Sequence, residues 1–222
     1  PAQRVLLAGL LALLLSACAL PTRVDGGGRG AAEDSPQVHT DLIRDMIAQH
    51  QYYAALAHIQ DMQRNNGNTR ELRFLEAETR RNLGQSVESA RLYQSLLDTA
   101  YAAQAYHGLG LLNARRSIEL SIQQLGKAVQ LQPTNVQFRN DLGYALMVAH
   151  HYPQALTQLA TATELDQHNQ LARHNLIVLL LLTHDTANAE KMAQDSNVGA
   201  REFSEARRQA REIAQNGLRA GG

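Results

Sequence analysis

The chain has 222 residues, 21 of them basic and 21 acidic, and so carries a formal charge of zero. That balance argues against a protein that grips nucleic acid by neutralising phosphates with a basic surface. Ala, Leu, Gln, Arg and Glu dominate, Trp is absent and Pro is rare. These are helix formers, no segment alternates with period two, and the fold class expected is all-α.

The opening stretch, PAQRVLLAGLLALLLSACAL, places Arg4 before an apolar run from Val5 to Leu15 and then small residues up to Cys18. The run is too short for a stable bilayer span and has the layout of a secretory signal, assigned to residues 1–17. Leu15-Ser16-Ala17-Cys18 resembles the lipobox of bacterial lipoproteins. The resemblance implies cleavage before Cys18 and acylation of its sulfur, a covalent lipid being the only cofactor-like group expected. Cys18 is the sole cysteine and has no disulfide partner within the chain. One acyl chain holds a membrane weakly and several hold it firmly, which suits a lipoprotein. Ala19 stands where an Asp would imply inner-membrane retention in enteric bacteria, so the resemblance implies the periplasmic face of the outer membrane of a Gram-negative cell. The alternative is a plain signal with an incidental cysteine.

Residues 18–37 follow as a Gly-rich tether without apolar periodicity. The body, residues 38–197, has a period of 34. Leu142, Ala155, Leu159 and Ala162 form one set; Leu176 and Ala189 follow one period later, and Leu125 and Ala128 precede it by one period. Tyr106, Leu109, Gly110, Ala128 and Pro133 carry the pattern in one unit, and Leu142, Gly143, Ala145, Tyr152, Ala155 and Ala162 in the next, with Arg139 at the large first-helix position and Gln167 in place of the closing Pro. Weaker units hold Leu42, Tyr52, Ala55, Ile59 and Met62, then Phe74, Ala77, Gly84, Ala90 and Leu97. The pattern resembles the tetratricopeptide repeat. The resemblance implies a right-handed α-solenoid of about five helical hairpins, in which Gly110, Gly143 and Ala155 let paired helices approach and first helices line a concave face. Each buried Leu contributes roughly 1.5–3 kcal/mol, so the fold needs no cofactor or disulfide.

Residues 198–222 form a last unit, helical from about Ala200 to Ala214, with Phe203, Ala206, Ala210 and Ile213 on one narrow stripe. It reads as a capping helix with a polar outer face; a partner-binding helix is the other reading. NLIVLLLL, Asn175 to Leu182, is apolar all round and calls for a helix buried on every side or one with an apolar partner face.

Nothing in the sequence marks a catalyst. GxSxG, the phosphate loop, GxGxxG and HExxH are absent. Nine histidines lack metal-ligand spacing, His150 and His151 falling in a solvated turn. Glu76 and Glu78 read as solvated carboxylates near arginines. An enzyme, a resident metal, a small-molecule substrate and a nucleic-acid partner are therefore not expected. The candidates for partner contact are His107, Asn140 and His174, which precede a first-helix Leu by two residues, together with Tyr144 and Val178. All five are expected to face the concave groove, as partner contacts or as ordinary packing.

RNDLGYALM (139–147), ALTQLATATELD (155–166) and ARHNLIVLLLL (172–182) resemble the repeat-containing lipoproteins of Tad, or Flp-type, pilus assembly, the TadD family. That resemblance implies a pilotin-like scaffold whose partner is the outer-membrane secretin or another pilus-assembly protein, held to the membrane by the lipid. The alternatives are another type IV pilus pilotin or an adaptor for periplasmic proteases or peptidoglycan enzymes.

Overall fold

The computed structural model describes residues 35–220; the signal segment, Cys18 and most of the tether lie outside them. Among the described residues there are eleven helices and no strand: α1 (Pro36–Ala48), α2 (Tyr52–Asn66), α3 (Arg70–Asn82), α4 (Ser86–Gln94), α5 (Ala102–Asn113), α6 (Ile118–Leu131), α7 (Val136–Val148), α8 (Tyr152–Leu165), α9 (Gln170–Leu182), α10 (Thr186–Asp195) and α11 (Ala200–Ala220).

Local chemistry sets these boundaries. Ser35, Thr69, Asn135 and Asn169 cap α1, α3, α7 and α9, each accepting from the backbone N–H three residues on. Four of the first helices end in the same left-handed turn, with φ of 61° at His50, 76° at Gly84 and 61° at His150 and His184. At each, the following residue's N–H reaches back to the carbonyl five residues earlier, as from His151 to Leu146 at 2.8 Å and from Asp185 to Leu180 at 2.8 Å. The α5–α6 connection, residues 114–117, contains no left-handed residue.

The helices pair as α1/α2, α3/α4, α5/α6, α7/α8 and α9/α10, and each of the first four second helices also packs on the next first helix. The result is an all-α solenoid of five hairpins followed by one more helix. Glycine makes the pairing tight. A Cβ on Gly143 would stand 2.6 Å from Leu159 Cγ, and one on Gly110 the same distance from Leu125 Cγ. A third seat lies between hairpins: a Cβ on Gly108 would stand 2.2 Å from the ring of Tyr93, which is fully buried.

The apolar interior divides into three clusters. One runs from Ile43 to Leu75, a second from Ala77 to Leu109, and the largest from Ala103 to Ile213. The NLIVLLLL segment lies in the last. α7, α8, α10 and α11 surround α9, so Leu176, Ile177, Val178 and Leu179 are all buried. Ala206, Ala210 and Ile213 of α11 are buried, and α11 packs on α9.

Two expectations change. Glu76 and Glu78 are not solvated. Glu76 is 8% exposed and accepts from Gln63 Nε2 at 2.8 Å and Arg80 Nε at 2.7 Å. Glu78 accepts from Arg81 at 2.9 Å and from the Tyr93 hydroxyl. Burial, and then the Glu78 carboxylate, push the Tyr93 pKa well above the ordinary phenol value. Glu76 faces α2 of the preceding hairpin and Glu78 faces α4 of its own, which their neighbouring arginines in sequence do not disclose. Leu42, expected as a packing residue of the first unit, is 43% exposed because no described hairpin precedes it.

Candidate partner-binding trough

The inner wall of the solenoid is built from first helices, and polar side chains tie them together. His107 Nε2 on α5 lies 2.7 Å from Asp141 Oδ2 on α7. An ionised carboxylate only accepts, so the hydrogen sits on Nε2. Asn140 Nδ2 donates to Asp141 Oδ1 at 3.1 Å, and Asn175 Nδ2 of α9 donates to Asn140 Oδ1 at 2.8 Å. His174 continues the series, its Nε2 2.9 Å from Gln209 Oε1 on α11. The His107 ring also stacks on Phe138 with centroids 4.5 Å apart. Buried polar groups paired this way fix the register of neighbouring helices, because a slip would leave several without partners.

The five groove candidates fall into two groups. His107 and Asn140 are buried with their polar atoms engaged within the chain, and Val178 is fully buried. His174 is half-buried, and Tyr144 is 39% exposed. Val148, one turn beyond Tyr144, is 37% exposed, and Leu111 on α5 is half-buried. One period further along, the positions of Tyr144 and Val148 are Val178 and Leu182, both buried in the helix that α11 packs on. The open apolar surface of the trough is thus centred on α7. Its N-terminal part is polar and ion-paired: Arg44 bridges Asp41 and Glu71, and Arg81 bridges Glu78.

Sequence reasoning passed over Asp141, Asn175 and Gln209, the acceptors and donors that complete the series. Their signal was present: Asp141 lies 34 residues after His107, and the other two follow at the same interval. Arg139, expected as a misfit at a large apolar position, instead donates to Gln158 Oε1 of α8 at 2.8 Å.

On the second-helix side, α8 and α10 frame a cleft of about 890 Å³ floored by Leu176 and Leu180 of α9, with Leu156 and Met192 on its walls. His39 Nδ1 and His58 Nε2 lie 3.2 Å apart between α1 and α2. Among the described residues there is no group of three or more potential metal ligands, and no helix is long and apolar enough to cross a membrane.

No family model matches the chain. It is 36% identical over 208 residues to the TPR repeat-containing protein PA4299 of Pseudomonas aeruginosa, a match covering 91% of this chain and 82% of the relative. In shape it is similar to TTC0263, a thermophilic TPR protein of Thermus thermophilus, with a TM-score of 0.63 and 18% identity over 82% of this chain and 100% of the other. It is also similar to MamA (41-end) from Desulfovibrio magneticus RS-1, with a TM-score of 0.58 and 15% identity over 78% of this chain and 95% of the other. A third similar structure is YrrB, a TPR protein with an unusual peptide-binding site, with a TM-score of 0.56 and 16% identity over 77% of this chain and 90% of the other. At these identities the structural likeness concerns the fold alone.

Proposed function

Since the chain belongs to the tetratricopeptide-repeat family, we propose that it is a binding scaffold whose trough grips a segment of another protein. In this reading it is a pilotin-like outer-membrane lipoprotein of Tad/Flp pilus assembly, and the segment belongs to the secretin or another assembly component. The observation that carries the trough reading is the exposure of Tyr144 and Val148 on an inner wall whose corresponding residues one period later are buried. An aromatic ring beside an aliphatic side chain, on helices locked by a paired polar series, is a rigid apolar anchor site. The peptide-binding site named for YrrB supports a protein ligand for this fold. The pilus assignment rests on the resemblance of the three quoted segments, and the lipid anchor on the lipobox at Leu15–Cys18.

A photoreactive amino acid at position 144, irradiated in the host envelope, tests both levels. A cross-link to the secretin is the expected result. A cross-link to a protease or a peptidoglycan enzyme would replace the pilus assignment with the adaptor reading and keep the trough. No cross-link from position 144 or 148 would remove the trough. Radiolabelled palmitate is expected to enter the wild type and not Cys18→Ser.

A further inference from the structure

Every first helix after α1 buries the same stripe against the hairpin before it. In α3, α5, α7, α9 and α11 the stripe holds Leu72, Ala105, Phe138, Ala172 and Ala206, exposed by 1%, 0%, 4%, 0% and 1%. Four residues on it holds Glu76, Leu109, Leu142, Leu176 and Ala210, none more than 8% exposed. In α1 the corresponding residues are Val38 and Leu42, which are 45% and 43% exposed. Asp41 and Asp45 flank them on the same helical face, and both are exposed; Arg44 pairs with Asp41 but is shared with Glu71, so this edge stays net negative. The first hairpin therefore presents an apolar seat edged with negative charge.

The other end of the solenoid has the opposite character. α11 occupies the place of a sixth first helix, with its stripe buried and its His174–Gln209 bond in series with the others. Two periods after Gly143, where a second helix would make its closest approach, stands Arg211, which is exposed. The face of α11 opposite its buried stripe carries Arg201, Arg208 and Arg211, with Glu212 at its edge; Arg208 bridges Glu205 and lies 3.7 Å from Glu212. No further hairpin of this chain can pack closely there, but arginine stems can cover apolar side chains while their heads meet carboxylates.

We propose that this chain associates head to tail with a second copy of itself, the Val38/Leu42 seat of one protomer docking on the arginine face of α11 of the next. The charges select this arrangement. A two-fold pairing of two α1 faces would bring four aspartates together, whereas head to tail sets aspartate against arginine. Such a contact is heterologous and leaves a free head and a free tail, so it extends into short chains that lengthen with concentration.

Sedimentation velocity of the full chain over a concentration series tests this, with circular dichroism confirming that each variant is folded. The wild type is expected to form dimers and longer species, weakened about tenfold or more as salt rises from about 0.05 to about 0.5 M. Leu42→Asp blocks the head, and Arg208→Glu with Arg211→Glu blocks the tail. Each variant alone is expected to be monomeric, and an equimolar mixture to give one-to-one dimers that grow no further. A wild type monomeric throughout would overturn the proposal. So would a tail-blocked variant that still dimerises, which would mean head-to-head pairing, or a mixture that stays monomeric.

Discussion

His107 and Asp141 stand 34 residues apart in the chain and 2.7 Å apart in space, and their bond joins the first helices of two successive hairpins. Asp141 also accepts from Asn140, so one carboxylate serves two donors that are each less than 10% exposed as residues. Asp141→Ala deprives both of an acceptor, and the expected loss is about 2 kcal/mol in urea unfolding. A double-mutant cycle with His107→Ala should return a coupling of about 0.5–3 kcal/mol. Strict additivity would mean that the bond contributes nothing to the interface.

The glycines supply a contrast within one protein. Gly143→Ala places a methyl 2.6 Å from Cγ of Leu159, a branch atom of a fully buried side chain that has no room to swing aside. The clash outweighs the gain of about 1 kcal/mol in helix propensity, and a net loss of about 1–3 kcal/mol is expected. Gly126→Ala, with nothing within 4 Å of the new methyl, should keep the propensity gain and raise the melting temperature. Equal effects of the two substitutions would refute the close-approach account.

His184 holds a left-handed conformation at φ 61° with no glycine to relieve it. His184→Gly is expected to stabilise the fold by about 1 kcal/mol, read as a higher melting temperature. His150→Gly should gain less, because the His150 ring bonds the Tyr152 hydroxyl at 2.7 Å and that bond is lost.

Alkaline pH should act through Tyr93. Its pKa is raised in the folded chain by burial and by Glu78, while the unfolded chain releases the proton near pH 10. The folded state then binds the proton more tightly, so this contribution to stability is complete below pH 10 and declines above it. Urea midpoints compared at about pH 8 and about pH 11 should fall less in Tyr93→Phe than in the wild type. Tyr101 and Tyr152 are raised too, so part of the decline remains in the variant. An identical decline in both proteins would place the alkaline sensitivity elsewhere.

The features legible in the sequence were those that repeat. A period of 34 residues fixed the hairpins, and Gly110 and Gly143 were read correctly as points of close approach because packing imposes the same small residue at the same place. The Tyr93–Gly108 seat was not legible, since it joins a second helix to the next first helix and occurs once. The fate of Glu76 and Glu78 was hidden for a related reason. Charged residues on a helix with arginines beside them read alike whether they face water or a neighbouring helix, and only the three-dimensional stack distinguishes the two. In the trough, hydrophobic periodicity located the wall but could not say which polar groups were spent holding it together.

The separation of the apolar interior into three clusters has a mechanical consequence. The inter-hairpin polar bonds from His107 to Gln209 reinforce the largest cluster, whereas α1 and α2 belong to a separate small one. A pull on the N-terminal end would load that small cluster first. Hairpins should then peel away one after another, the leading one yielding as a sacrificial fuse while the C-terminal hairpins keep their shape.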